Sequence, residues 1–291
     1  MHFFQDLFNE GFLLWNSLIL CLLVGLLCPL FGAFLVLKRM VFMGVALPHI
    51  SSAGIAFALS MHVWYGDYEG AHGADQRGLA IAGAVVFALL AILGVAWLEK
   101  RRRGQADSRI GTLYVLATAG SLLLLSKCQP AERGWLSLFK GDIIAVSGGD
   151  VLLSGVVLGV LWLLLLIFRK DFYLVSYDPE MAASIGKKVV LWEMLLHVII
   201  GLSIAASVFV VGPLITFGFM VLPVMTALTV VRSMGGLLLC STVFGIVCAF
   251  VGFWLAYEQD LPIGPSGVSV AGGALVLAAV MGGVVRRLWK K

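Results

Sequence analysis

Stretches of about twenty predominantly apolar residues recur along this chain, and that recurrence restricts the fold more than any other feature. An α-helix rises about 1.5 Å per residue, so roughly 20 apolar residues cross a hydrocarbon core of about 30 Å. About nine such segments are read: Phe12–Val36, Met40–Met61, Leu79–Leu98, Ile110–Ser126, Val151–Phe168, Val189–Val211, Leu214–Val231, Gly235–Tyr257 and Val268–Val285. Hydrophobic residues make up 61% of the 291 and charged residues 12%, with a mean hydropathy of +1.04, which excludes a soluble globular domain. The expected fold class is all-α, a polytopic membrane protein with about nine transmembrane helices. No connection is long enough to fold alone, so residues 1–291 are expected to form a single transmembrane domain.

The net charge of +4 matters less than where the basic residues lie, because their placement sets orientation. If the Glu99–Arg103 loop is cytoplasmic, alternation puts Lys38-Arg39, the Arg169 to Lys188 loop, Arg232 and the carboxyl-terminal tail on the same side. Only Arg77, Lys127, Arg133 and Lys140 of the 20 Lys and Arg residues remain on the other. This predicts a multi-pass protein of the cytoplasmic (inner) membrane, amino terminus outside and carboxyl terminus in the cytoplasm. The first segment lacks a basic start and a small-residue cleavage site, so it is expected to persist as a helix. Five cysteines show no paired metal spacing, and four fall within the expected spans as small apolar filling.

The connection before the sixth span contains "YDPEMAASIGKK". Asp178 stands at an N-cap, Pro179 at the first helical position, Glu180 beside the positive dipole end and Gly186 where a C-cap is expected. These signals predict a short helix of about two turns outside the bilayer, with Met181, Ala182 and Ile185 along one side. A structured surface turn accounts for this pattern; so does a contact for a cytoplasmic partner, since a lone two-turn helix is marginal in water.

Ionisable or broken positions inside the bilayer are costly and usually face a cavity or path. His49 follows Pro48 and precedes Ser51, Ser52 and Gly54. It is read as an ion waypoint on a distorted helix or as a hydrogen-bonded core histidine. Glu193 and His197 lie four residues apart on one helical face, where they can share a proton or a divalent cation, or form a structural pair. Pro213, Gly218 and Pro223 are expected to bend the seventh span, as a moving element or as a static kink. Glu258 and Asp260 fall at the outer mouth, where they attract cations or a basic partner, or simply solvate a loop. No phosphate loop occurs, since "ASIGKK" lacks the first glycine and the hydroxyl residue, and neither a zinc-protease nor a serine-hydrolase motif is found. A transport role therefore draws energy from another subunit or from an ion gradient, the latter being the alternative of a secondary transporter or channel.

With these features in hand, the chain resembles the membrane permease subunit of the ATP-binding-cassette importers for zinc, manganese and iron. Five ordered segments carry the resemblance over nearly the whole length: "MGVALPHISSAGIAFAL", "LFKGDIIAVSGGD", "YDPEMAASIG", "VVGPLITFGFMVLPVMTA" and "DLPIGP". The resemblance implies a homodimeric permease in membrane lipid that imports a divalent metal ion by alternating access and binds no nucleic acid. ATP would be bound and hydrolysed on separate ATPase subunits gripping Asp178, Pro179, Glu180, Met181, Ala182 and Gly186. An extracytoplasmic metal-binding protein would dock outside. His49, Glu193, His197 and Asp260 would line the metal path, and Pro48, Pro213 and Pro223 would mark helix breaks or gates. One departure stands out: the family's second span carries an aspartate four residues before its histidine, and here that position is Val45. A neutral nitrogen alone suits zinc better than manganese, which prefers oxygen, so Glu193 and His197 are expected to compensate from another helix.

Overall fold

The computed structural model describes residues 14–38, 40–64, 73–101, 106–126, 147–231 and 233–288. Ten helices are defined in chain order. They are α1 (Trp15–Leu37), α2 (Val41–Trp64), α3 (Gly73–Arg101), α4 (Ala106–Leu125), α5 (Gly148–Ile167), α6 (Arg169–Tyr177), α7 (Pro179–Ser184), α8 (Val189–Val230), α9 (Met234–Glu258) and α10 (Ile263–Leu288). The chain is all-α, as its hydropathy predicts. By length and composition six of these helices can cross a membrane, and two shorter apolar helices accompany them at Gly78–Gly94 and Ile110–Leu124. The expected spans Val189–Val211 and Leu214–Val231 are joined into the single 42-residue α8. The "LFKGDIIAVSGGD" segment falls mostly outside the described residues.

A straight helix of that length would be about 63 Å long, twice a hydrocarbon core. The contacts of α8 with α1 show instead that it doubles back. Glu193 meets Lys38 at the end of α1, and Ser207 meets Cys28, further toward its start. Beyond the break, Met220 lies against Gly32, and Val224 and Ala227 pack with Ala33, Val36 and Leu37. The first arm of α8 thus runs antiparallel to α1 and the second parallel to it. The reversal is at Gly212, with φ 83° and ψ 166°, a backbone region essentially restricted to glycine. Pro213 then opens the second arm at the position where its missing N–H costs nothing, and the Thr216 hydroxyl donates to the Gly212 carbonyl at 2.8 Å.

The buried core gathers around α1, whose Phe31, Phe34, Leu20 and Leu35 have no exposed surface. The second arm of α8 contributes Phe219 and Met220, and α9 contributes Phe253. Without a hydrophobic drive between helices in lipid, backbones pack closely where small residues allow it. Gly25 of α1 and Gly245 of α9 face each other so closely that a Cβ on either would strike the other's carbonyl, and Gly54 of α2 and Gly83 of α3 repeat the arrangement. Outward positions such as Leu152, Leu277 and Leu123 stay exposed, as a lipid-facing surface requires. Many hydroxyls within the helices bond back to their own turn, as Ser203 does to Ile200 and Thr226 to Leu222, which satisfies them without water.

Candidate functional site

Of the three prolines read as breaks, only Pro213 adjoins a change of backbone direction. α2 runs on through Pro48, and the second arm of α8 runs on through Pro223. Within a packed bundle the loss of one helical hydrogen bond is tolerated when neighbouring groups take up the freed partners. Ser51, beside Pro48, spends its hydroxyl on the next helix and donates to the Ala84 carbonyl of α3 at 3.3 Å. His49 lies on the side of α2 that faces α4. Its ring meets Tyr114 edge-on, with centroids 5.1 Å apart at 82°, and Tyr114 meets Phe42 about two turns earlier on α2 in the same way. Val45 and His49 are both half-buried. The phenol ring of Tyr114 is therefore the neighbour of His49 that sequence reasoning missed, since nothing local pairs α2 with α4.

Glu193 and His197 share a helical face, as their spacing predicts, yet their polar groups turn to different partners. The His197 Nδ1 lies 2.6 Å from the Glu193 backbone carbonyl, so the imidazole donates from Nδ1. The Glu193 carboxylate turns away to Lys38, with Nζ to Oε1 at 2.9 Å. The Lys38 side chain is 8% exposed and that of Glu193 41%. Among the described residues no group of three or more His, Cys, Asp or Glu side chains is placed to hold a metal ion. His49, Glu193 and His197 accordingly do not form one ligand set in this conformation.

Asp260 lies at the opposite end of the bundle from Lys38, in the turn between α9 and α10. Its φ of 49° is left-handed, which aspartate tolerates better than most residues. The Leu261 N–H returns to the Ala256 carbonyl at 3.0 Å, so Asp260 terminates α9 as glycine usually does. With Leu14, Phe253, Tyr257 and Pro262 it lines an open cavity of about 470 Å³.

The short helix α7 carries the caps its sequence encodes. Asp178 accepts the Met181 N–H at 2.9 Å, and Pro179 occupies the first helical position. Gly186 has φ 84°, and the Lys187 N–H closes on the Ala182 carbonyl at 3.1 Å. Ala182 is fully buried, whereas Tyr177, Met181 and Ile185 are exposed, leaving an apolar knob with Glu180 beside it. The helix α6 just before it was not anticipated. Its signal is the buried pair Phe172 and Val175, three residues apart and too short a run for periodicity to single out. Tyr173 on α6 stacks on Phe34. Burial raises its hydroxyl pKa above the ordinary value, Arg169 pulls it down, and Tyr177 adds to the rise.

A sequence profile described as the ABC 3 transport family matches residues 11–282. The chain belongs to that family. The family read from the five ordered motifs is the one the chain is a member of. Among ABC 3 relatives, "Manganese transport system membrane protein MntC" of Halalkalibacterium halodurans is 26% identical over 99% of this chain and 94% of that protein. "Probable metal transport system membrane protein" of Thermotoga maritima is 30% identical over 93% of this chain and 90% of that protein. Among solved structures, PsaBC from Streptococcus pneumoniae in complex with Fab superposes with a TM-score of 0.79 at 24% identity, covering 95% of this chain and 94% of that one. The ABC 3 chain thus has the fold of that structure, and its helical membrane-spanning build is the one family membership requires.

Proposed function

We propose that this ABC 3 chain is the membrane-spanning subunit of an ATP-driven importer for a divalent transition metal ion, working by alternating access. The observation that carries the reading is α7: a short, doubly capped helix outside the long helices, presenting Met181, Ile185 and Tyr177 to solvent. An exposed apolar knob of this kind suits a protein partner better than water, and an ATPase subunit is the partner the family membership calls for. The names of the relatives, which include manganese and iron, support a first-row metal as cargo. The reading places α7 in the cytoplasm with the basic loops and the carboxyl terminus. It puts the amino terminus and Asp260 outside, where a metal-binding protein docks, and pairs two copies of the chain.

In this reading His49 meets the cargo first, with Glu193 and His197 reached after the arms of α8 move. The reversal at Gly212 and Pro213 makes α8 the element able to change shape, because each arm packs as a separate helix. The cavity lined by Asp260 marks the outer mouth.

The test is uptake of manganese(II) and zinc(II) into liposomes holding the permease with its ATPase, with the extracytoplasmic metal-binding protein supplied outside. Uptake that needs ATP inside the vesicle system and vanishes without the ATPase is expected. Uptake that continues without the ATPase and follows an imposed proton gradient would overturn the reading in favour of a secondary transporter.

A further inference from the structure

Two ion pairs and a run of aromatic rings join α7 to the Lys38 end of α1. Lys187, just past α7, pairs with Asp171 of α6 and sets its ammonium 5.6 Å from the centre of the Trp192 ring. Trp192 packs against Phe168 at 5.4 Å and against Phe172 at 5.7 Å. Phe172 meets Phe34 of α1 edge-on at 6.4 Å, and Tyr173 stacks on the same ring at 5.3 Å. Glu193, the residue after Trp192, holds Lys38 across 2.9 Å. Lys38 caps α1 one turn beyond Phe34, and α2 begins at Val41.

The two kinds of contact behave differently under load. Phe34 and Phe172 are fully buried, and close-packed rings pass a displacement on because there is no void to absorb it. The Lys38–Glu193 contact is instead a single ion pair at 2.9 Å. Lys38 is nearly enclosed, so separation from Glu193 leaves an uncompensated charge unless the ammonium moves out to water.

We propose that the Lys38–Glu193 pair is a latch holding the ends of α1 and the first arm of α8 together, released when displacement of α7 is carried through Trp192 and the rings around Phe34. The proposal rests on the reading of α7 as the ATPase contact. Lys38 and Trp192 are positioning residues: they set where the arms stand and need not touch the cargo. Removing the charge of Lys38 leaves the arms free to part without the stroke of the ATPase. Hydrolysis then continues, while the metal carried per ATP falls.

The experiment measures manganese(II) uptake and ATP hydrolysis together in liposomes containing the permease and its ATPase, with the extracytoplasmic metal-binding protein supplied outside. Lys38→Gln is expected to lower the uptake-to-hydrolysis ratio about tenfold, within the range of ordinary coupling between sites, with hydrolysis within about twofold of the parent. Lys38→Arg, which keeps the charge and leaves Glu193 in place, is expected to keep the ratio. A parent-like ratio in Lys38→Gln overturns the latch, as does a Lys38→Arg variant no better than Lys38→Gln. Where Lys38→Gln does not assemble, Trp192→Leu serves: a lowered ratio supports the relay, and a parent-like ratio overturns it. Absence of ATP-driven uptake in the parent complex overturns the importer reading itself, an outcome separate from any of these.

Discussion

Lys38 and Glu193, 155 residues apart in sequence, meet at 2.9 Å, and their contact decides what Glu193 does in this conformation. Four residues along the same helix, His197 donates its Nδ1–H to the Glu193 backbone carbonyl at 2.6 Å. The spacing that suggested a carboxylate and imidazole acting together is met by the backbone geometry. The side chains nonetheless take different partners, because a lysine reaches the carboxylate from the end of α1.

Double-mutant cycles on the unfolding of the purified permease in detergent separate the two relationships. Lys38→Gln and Glu193→Gln are expected to couple by about 1 kcal/mol, the value being held down by the exposure of Glu193. Glu193→Gln and His197→Gln are expected to add within about 0.5 kcal/mol. A larger coupling for the second pair than for the first would reverse the assignment.

The reversal in α8 predicts a sharp dependence on one glycine. Gly212→Ala forces a Cβ onto a backbone with φ 83° and ψ 166°, at a cost of roughly 1–3 kcal/mol. Gly120→Ala is the control: its Cβ meets nothing within 4 Å, and within a helix the change gains up to about 1 kcal/mol. Thermal unfolding of the two variants in the same detergent checks the contrast, and equal midpoints would remove the special role of Gly212.

Much of this architecture is legible because its causes are local. Runs of apolar residues mark helices regardless of neighbours, and Asp178, Pro179 and Gly186 cap α7 through groups within a few residues of each other. The turn around Asp260 was legible, but its left-handed backbone was not, since aspartate does not require that conformation. The helices run on through Pro48 and Pro223, because a proline removes one hydrogen bond while the bundle decides whether the helix bends. The pairings of Lys38 with Glu193, His49 with Tyr114, and Trp192 with Phe168 and Phe172 depend on how distant helices cross. Hydropathy carries no record of that. One clue was present: Lys38 and Glu193 each lie within about a turn of a span end on the basic side.

The facing glycines of α1 and α9 give a packing test. At Gly245 a Cβ would lie 2.7 Å from the Pro29 ring and would strike the Gly25 carbonyl, neither of which can swing aside. Gly245→Ala is expected to cost about 1–3 kcal/mol. At Gly155 the new Cβ would meet only the end of Leu23 at 3.2 Å, a flexible tip that yields, so Gly155→Ala is expected to cost under about 1 kcal/mol. Recovery of monodisperse protein and its unfolding midpoint read both, and an undisturbed Gly245→Ala would show that α1 and α9 are not in backbone contact.

The knob on α7 separates stability from partnership. Met181 is 54% exposed and Ala182 is fully buried, although they are neighbours on the same short helix. Met181→Asp therefore leaves the permease itself within about 0.5 kcal/mol of the parent, while placing a charge in the middle of the surface that the ATPase would cover. Ala182→Asp instead buries a carboxylate without a partner and is expected to lower folded yield. Asp178→Ala lies between them: loss of the 2.9 Å cap bond to the Met181 N–H costs about 1 kcal/mol and frays the helix that displays the knob. Co-purification of the tagged permease with its ATPase is expected to fail for Met181→Asp at an unchanged unfolding midpoint, and to weaken for Asp178→Ala with a lowered one. If Met181→Asp retains the ATPase and carries metal at the parent rate, the partner surface lies elsewhere on the basic end of the bundle.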